Sequence, residues 1–291
     1  MRASPPEVAV VVLNWNGWAD TEPCLASLRD AGYPHLHVIL VDNGSTDGSP
    51  GKVRAAFPEV EVLETGANLG FAGGNNRGLE RALARGSDYA MLLNNDTLVE
   101  PGFVEPLLDA LRGGADVASP AIEYADDPGR LWFGGGELDP PRHADIDRVD
   151  GVVATPWVTG CCLVASREIW ERVGLLDARY FLIHEDVEWS LRASAAGYRA
   201  VVVGPSRIRH KVSSTLGEQP LLGLFYYVRN GLLLAREHGG PGAVRRFLGD
   251  EVVRPTLREV KRRDPRTRRA AAARFRGVSA FARGRYGAAS R

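Results

Sequence analysis

Three carboxylates stand within four residues in the run His184-Glu185-Asp186-Val187-Glu188-Trp189, at the start of a segment with helical periodicity. Acids in a first helical turn complement the helix dipole, yet all three cannot serve capping. A carboxylate held there can act as general base, deprotonating a hydroxyl that attacks a bound electrophile. Asp96 is the second candidate. It follows the apolar run Tyr89 to Leu93, and a hard oxygen ligand at such a strand end suits a divalent ion, Mg or Mn, shared with a diphosphate and held through few protein groups. His210, just before Ser213, Ser214 and Thr215, reads as a metal ligand, a phosphate contact or an ordinary hydrogen-bonded histidine.

The surrounding elements decide whether these groups can meet. Val8 to Leu13 is a continuous β-branched run, the pattern of a strand buried on both faces. Strand runs return at His37 to Val41, Val60 to Leu63, Tyr89 to Leu93, Val117 to Ile122, Trp157 to Ser166 and Tyr198 to Val203. Helical segments fall between them at Asp20 to Asp30, Asn75 to Ala84, Pro101 to Leu111, Arg167 to Val173 and Glu185 to Ala196. This alternation predicts an α/β fold with a mostly parallel sheet and right-handed crossovers. Regularity fades between Glu123 and Asp150, where Gly, Pro and Asp predict an insertion or hairpin. After His210 the chain turns helical, through Leu221 to His238, Ala243 to Arg262 and Arg266 to Arg283, as a C-terminal helical appendage.

In such sheets ligands bind at the carboxyl ends of the strands, where helix N-termini open into the crevice. Polar clusters stand at four of these ends: Asn14-Trp15-Asn16-Gly17, Asp42 to Gly48, Gly66 to Asn76 (with Asn68) and Asn94-Asn95-Asp96. Each alone reads equally as turn punctuation; together they mark a rim. Asp42 can accept hydrogen bonds from a base edge or ribose, or can form an Asx turn. Gly70, Gly73 and Gly74 allow backbone to approach a ligand, with Asn75 and Asn76 as caps of the following helix. The glycines lack the G-x-G-x-x-G spacing and follow the third strand rather than the first, which disfavours a nicotinamide cofactor.

The 291 residues are 44% hydrophobic and 25% charged, enough for a substantial core and unlike disordered, collagenous or coiled-coil chains. No apolar run approaches the roughly 20 residues that span a bilayer. The N-terminus shows no signal-like segment, which predicts a cytoplasmic address. Cys24, Cys161 and Cys162 have neither disulfide nor zinc spacing and read as packed, reduced thiols. The net charge of zero conceals a division: residues 241–291 hold 15 Lys or Arg against 4 Asp or Glu. That segment can meet anionic lipid, can bind nucleic acid, or can be an ordinary solvated face. No interleaved aromatic motif supports nucleic acid, and none is expected as a partner.

The motifs VVVLNWNG, VDNGSTDGS, NLGFAGGNNRG, LLNNDT and the long run from WVTGCCLVASREIW to IHEDVEWSLRASAAGYR, together with His210, resemble the family-2 glycosyltransferases of the GT-A fold, nearest the rhamnosyltransferase-like branch. The resemblance runs from about Val8 to His238. It implies a Rossmann-like nucleotide-sugar-binding and catalytic domain over residues 1–215, followed by an Arg-rich helical region over 216–291. The activity it implies is transfer of a sugar, with inversion, from a nucleotide diphosphate donor to an acceptor hydroxyl. Rhamnose from dTDP-rhamnose is the first donor expected and a UDP-sugar the second. The family's base pocket matches Leu13, Asn14, Trp15 and Asn16, and its nucleoside carboxylate matches Asp42. Its metal- and diphosphate-binding D-x-D matches Asn94 to Asp96, departing at Asn94, which leaves strict metal dependence open; its later histidine matches His210. Its base motif matches Glu185-Asp186, read here as Asp186 for the base and Glu185 for acceptor positioning, with the reverse assignment open. Trp157 and Trp189 are candidates for an acceptor platform as well as for core packing. A glycan or lipid-linked acceptor would suit the basic tail, which could hold the enzyme peripherally at the inner face of a membrane. Two other readings compete: a sugar nucleotidyltransferase, which usually carries a basic phosphate loop where this chain has NWNGWADTEP, and a non-catalytic nucleotide- or carbohydrate-binding protein, against which Glu185 and Asp186 argue.

Overall fold

The computed structural model of the chain describes residues 4–212, 220–262 and 265–289. Ser213, Ser214, Thr215 and the boundary between 215 and 216 lie outside the described residues.

Strand β1 (Val8–Asn14) is central, as its β-branched run requires: Val8 to Val12 are wholly buried. Side chains alternate across a strand, so Val8, Val10 and Val12 face α1 (Trp18–Arg29), with Cys24, Leu25 and Leu28 in the same core. Ala9 and Val11 face α3 (Gly70–Arg85) through Ala72, Leu79 and Ala82. Helix α3 lies close on the sheet because Gly78 has no side chain; a Cβ there would come within 2.2 Å of Val11. Each buried aliphatic side chain contributes on the order of 2 kcal/mol, so this two-sided core anchors the strand ends that carry the site.

On one side β1 pairs in parallel with β2 (Leu36–Asp42), followed by β3 (Glu61–Glu64), with α2 (Ser49–Ala56) in the crossover. On its other side β1 pairs in parallel with β4 (Tyr89–Asn94). Short β5 (Thr97–Val99) and helix α4 (Val104–Arg112) lead to β6 (Val117–Tyr124). Residues 131–154 supply four short strands: β7 (Leu131–Phe133), β8 (Gly136–Glu137), β9 (Arg142–His143) and β10 (Val152–Ala154). The sheet closes with β11 (Cys162–Ser166), α5 (Arg167–Val173), α6 (Glu185–Ala195) and β12 (Ala200–His210). Its order is β10-β12-β6-β11-β4-β1-β2-β3, with β5 on β12 and β7 on β6. Strand β11 runs antiparallel between β4 and β6, so the sheet is mixed, mostly parallel.

Three boundaries differ from expectation. The strand expected over 157–166 starts at Cys162, since residues 157–161 leave the ladder. The strand expected over 198–203 runs on to His210, resuming its pairing with β6 after a bulge. Helix α3 starts at Gly70, so Asn75 and Asn76 lie inside it and cap nothing. The Asn75 amide donates to the Phe71 carbonyl one turn back, and the Asn76 side chain clasps Leu176 N–H and C=O.

Helix α7 (Pro220–Leu234) leads through π-type turns into α8 (Gly240–Phe247), α9 (Arg254–Arg262) and α10 (Pro265–Ala282). Helices α7 and α10 pack through Gly277, where a Cβ would sit 2.9 Å from the Phe225 carbonyl. The phenyl ring of Phe247 likewise fills the space beside Gly231. Among the described residues no helix is long and apolar enough to cross a membrane.

Candidate active site

The rim at the ends of β1 and β2 is held by hydrogen bonds among its own residues. Register sets Asn14 beside Asp42. The Asn14 amide donates to Asp42 (2.9 Å) and Ser45 (3.1 Å), and its oxygen accepts from Gly17 N–H and the Thr21 hydroxyl. The second Asp42 oxygen accepts from Ser45 N–H. Asn16, at φ 52°, holds Thr46 N–H, and Asn43 bridges Asn68, Leu69 and Gly70. Asn14 and Asp42 are buried, whereas Trp15, 39% exposed, and Asn68 stand open to solvent beside them. Leu13 packs where a Cβ on Gly74 would fall, and the space beside Gly70 belongs to the Phe181 carbonyl, which accepts from Phe71 N–H at 2.6 Å. The approaches these glycines permit are therefore made by protein, and the first turn of α3 is capped by a carbonyl distant in sequence.

The second rim forms where β4 ends. Antiparallel pairing of β5 with β12 sets Thr97 opposite His210, which brings the neighbouring Asp96 within 2.9 Å of His210 Nε2. Both are buried, and His210 Nδ1 has no partner among the described residues. Asn95 donates to Thr21, tying this turn to the first rim. The side chain of Asn94 is partly exposed, and its N–H takes the Cys161 carbonyl at 2.9 Å.

That last bond matters, because the next residue back, Gly160, donates its N–H to Asp186 at 2.8 Å. The turn bearing Asp96 and the helix end bearing Asp186 are thus fastened to adjacent residues of one segment. Burial raises the Cys161 thiol well above its ordinary value, and both Asp96 and Asp186 lie near enough to add to the rise. The two carboxylates both lie near the Gly160–Cys161 segment.

Glu185 and Asp186 open α6 with different surroundings. Burial pushes the Glu185 carboxyl well above the usual carboxylate range, its neighbour Asp186 adds to this, and Glu185 Oε2 has no partner among the described residues. Burial also raises Asp186, but the N–H groups of Gly160 and Val187 and nearby His143 oppose it. Asp186 is the carboxylate equipped to carry charge and to take a proton. His184 is pushed down to about 4 by burial, so its buried ring is neutral.

The backbone before α6 is strained: Phe181, Ile183 and His184 have φ of 61°, 73° and 73°. Non-glycine residues in that region cost about 1–3 kcal/mol each and persist only where neighbours hold them. Here α7 does so. The Asn230 amide reaches the carbonyls of Tyr180, Leu182 and Ile183 at 2.8, 2.7 and 2.8 Å. Arg229, also buried, reaches those of Arg179 and Tyr180. The described part of the C-terminal helices is therefore built into the site.

Two expected contacts are corrected. Trp189 is fully buried, its ring tilted against Trp170 at 4.4 Å with its N–H on the Gly174 carbonyl, and Trp157 is buried with its N–H on the Glu137 carbonyl. Neither ring offers a face to an acceptor. Residues that sequence reading missed pack beside His210. His143, on β9, and Trp132, on β7, project from the irregular insertion, with Trp132 packed edge-on against both His143 and His210. Asn230 and Arg229 left one trace, a polar pair inside the apolar run Tyr226 to Leu234.

Among the described residues no three His, Cys, Asp or Glu side chains gather as a metal site. A cation would need substrate phosphates and water for its remaining ligands, a common arrangement for Mg. Asp96 and His210, a hard oxygen beside an imidazole whose second nitrogen has no partner among the described residues, fit that demand.

Residues 9–174 match the family model described as glycosyl transferase family 2. Over 264 residues the chain is 30% identical to an N-acetylglucosaminyl-diphospho-decaprenol L-rhamnosyltransferase of Mycobacterium tuberculosis, covering 79% of this chain and 85% of that one. Among solved structures, a mannosyltransferase from Pyrobaculum calidifontis, in complex with GDP-Man and Mn2+, superposes with a TM-score of 0.58 at 16% identity, covering 96% and 88% of the two chains. GalNAc-T7, with UDP, GalNAc and Mn2+, superposes with a TM-score of 0.58 at 14% identity, over 85% of this chain; the chain spans 55% of that longer protein. The distant structures share the GT-A fold. Matched by the family model over more than half its length, and by a relative over most of it, the chain belongs to glycosyl transferase family 2 and is a glycosyltransferase.

Proposed function

We propose that the protein transfers a sugar from a nucleotide diphosphate donor to a hydroxyl of a lipid-linked glycan, with inversion at the anomeric carbon. Rhamnose from dTDP-rhamnose is the donor we favour, with a UDP-sugar second. The observation that supports this reading is the pair of bonds from Asn94 to Cys161 and from Gly160 to Asp186, since they tie the turn that bears Asp96 and the helix that bears Asp186 to adjacent residues. The relative's name supports rhamnose and a diphospho-decaprenol acceptor.

Each residue then has a task. Trp15, Asn16 and Asn68 border the nucleoside pocket above the Asn14–Asp42 floor, and Asn94 and Asn95 face the diphosphate. Asp96 and His210 would hold a divalent cation, Mg or Mn, which when bound neutralises charge on the departing diphosphate. Asp186 takes the acceptor proton while the acceptor oxygen bonds to the anomeric carbon. The bond from that carbon to the phosphate oxygen breaks with its electron pair leaving on the diphosphate. One carboxylate acting opposite the leaving group gives single displacement. Glu185, held toward its neutral form, can donate a hydrogen bond to the acceptor.

Peripheral attachment at an inner membrane face belongs to the same proposal. On α9 and the turn before it, Val253, Leu257 and Val260 are 50%, 57% and 58% exposed at i, i+4, i+7 spacing, beside exposed Arg254 and Arg258. An apolar stripe flanked by cations suits an anionic bilayer surface. Sedimentation with anionic but not neutral vesicles is expected, and equal binding to both would remove this part.

A thermal-shift panel of nucleotide diphosphate sugars with and without Mn tests the donor site, because a ligand that binds only the native state raises its stability. dTDP-rhamnose is expected to give the largest Mn-dependent rise. The absence of a rise with every nucleotide diphosphate sugar would refute the transferase reading.

A further inference from the structure

Helices α7 and α10 meet closely at Gly277. Nearer its N-terminus α10 turns Arg269, Ala272, Ala273 and Arg276 to one face, as their i, i+3, i+4, i+7 spacing requires. Opposite them stand Leu221 and Phe225 of α7, and the short alanine side chains leave a groove of about 260 Å³ between the helices. Leu221 is 40% exposed, so the apolar wall of this groove meets solvent. The charge around the groove has one sign. Arg276 lies 5.8 Å from the centroid of the Phe225 ring, and buried Arg229 lies 5.4 Å from it. Arg229 donates to the carbonyls of Arg179, Tyr180 and Gly287 and to the Asn230 side chain, all of them neutral. Among the described residues none of Arg229, Arg269 and Arg276 meets a carboxylate, whereas Arg274, turned towards α9, is paired with Glu259. Cations grouped around an apolar groove call for a partner that is anionic at one end and hydrocarbon at the other. The groove also lies near the catalytic helix: Phe225 packs edge-on against Tyr226 at 5.2 Å, and Tyr226 stacks at 5.4 Å on Phe181 in the loop that leads into α6.

We infer that the α7–α10 groove binds the prenyl diphosphate of the acceptor: the isoprenoid units next to the diphosphate lie along Leu221, Phe225 and Ala272, and Arg269 and Arg276 take its phosphate oxygens. A guanidinium suits this task because its fork of N–H donors matches phosphate, and the isoprenoid chain gains by leaving water for the groove. A bilayer phospholipid offers a phosphate and hydrocarbon too; the ring contacts from Phe225 through Tyr226 to Phe181 favour the lipid that carries the acceptor sugar. The inference rests on the lipid-linked acceptor proposed above and gives that lipid a site of its own, separate from the exposed stripe on α9.

The test is calorimetric titration of the full chain, without donor, with farnesyl diphosphate, farnesol and inorganic diphosphate. Farnesyl diphosphate is expected to bind, and each of the other two, which keeps only one end of the ligand, to bind at least about tenfold more weakly. Arg269→Gln and Arg276→Gln should each weaken farnesyl diphosphate about fivefold, the usual contribution of a basic residue beside an anionic lipid head. Ala272→Phe keeps both arginines and fills the groove from an exposed position, so it should weaken the same ligand about tenfold with Tm unchanged. Absence of farnesyl diphosphate binding, or equal affinity in the wild type and all three variants, would overturn the inference. Inorganic diphosphate bound as tightly as farnesyl diphosphate would make this a phosphate site and overturn it too. Sedimentation with phosphatidylglycerol vesicles separates the other lipid: variants that lose vesicle binding but keep farnesyl diphosphate affinity would assign the groove to bilayer phospholipid. The Mn-dependent thermal shift with dTDP-rhamnose reads the transferase proposal independently, so a normal shift beside absent farnesyl diphosphate binding refutes the groove alone.

Discussion

The two rims of the crevice are built on opposite principles. At the ends of β1 and β2, Asn14, Asp42 and Asn43 are buried and their polar atoms are engaged by one another and by adjacent backbone. Around α6 and the end of β12, Glu185 Oε2, His184 Nε2 and His210 Nδ1 are buried without a partner among the described residues, and the backbone before α6 turns left-handed at Phe181, Ile183 and His184. A buried polar atom lacking its hydrogen bond costs about 1–3 kcal/mol, a cost expected where groups await substrate. The first rim is a finished frame; the second stores unfavourable free energy and depends on α7 to keep it.

This contrast predicts that mutations at the two rims move stability and activity in different ways. The largest effect is expected from Asp186→Asn, which should lower kcat by about 10² to 10⁴-fold, the usual contribution of a general base, with little change in Tm; steady-state assays beside a melting curve check both. Asn14→Ala should unfold the frame first, losing about 3 kcal/mol in chemical denaturation because Asp42 and Thr21 lose buried partners. A stable Asn14→Ala with normal donor binding would break the contrast at its firm end. Asn230→Ala frees three carbonyls of the strained loop and should cost about 2 kcal/mol of stability and on the order of tenfold in kcat, although it touches no substrate. The smallest effect is expected from Glu185→Gln, and its sign is informative. The folded protein raises the Glu185 carboxyl, so the wild type loses stability as pH rises towards that elevated value. Gln cannot ionise, so the variant should melt above the wild type at alkaline pH, with the gap closing near pH 4. A variant that melts below the wild type throughout would mean that Glu185 is engaged in the free enzyme.

What could be read from the chain follows the same physical lines. Strands β1, β2 and β4 were legible because burial on both faces writes a continuous apolar run, and the polar residues just past each run mark the rim. Asp96 and the acidic start of α6 were legible because they sit at element ends, where position along the chain predicts position in space. Pairings between distant elements left no local mark. Nothing near Gly70 announces that the Phe181 carbonyl will cap α3, so the helix was expected to begin at Asn75. Nothing near His143 signals that an irregular hairpin delivers it against Trp132 and Trp157. Of the two roles open to Trp189, acceptor platform and core packing, the structure has the second, because helical periodicity turns the ring inward onto Trp170.

The account turns on Asp186 as the group that accepts the proton, and the pH dependence of kcat at saturating donor and acceptor tests this most directly. Burial raises this carboxyl in the folded protein. Activity should therefore rise with pH along one acid limb lying above the range of an ordinary aspartate, and the limb should vanish from the residual activity of Asp186→Asn. An acid limb that survives that substitution would assign the proton to another group.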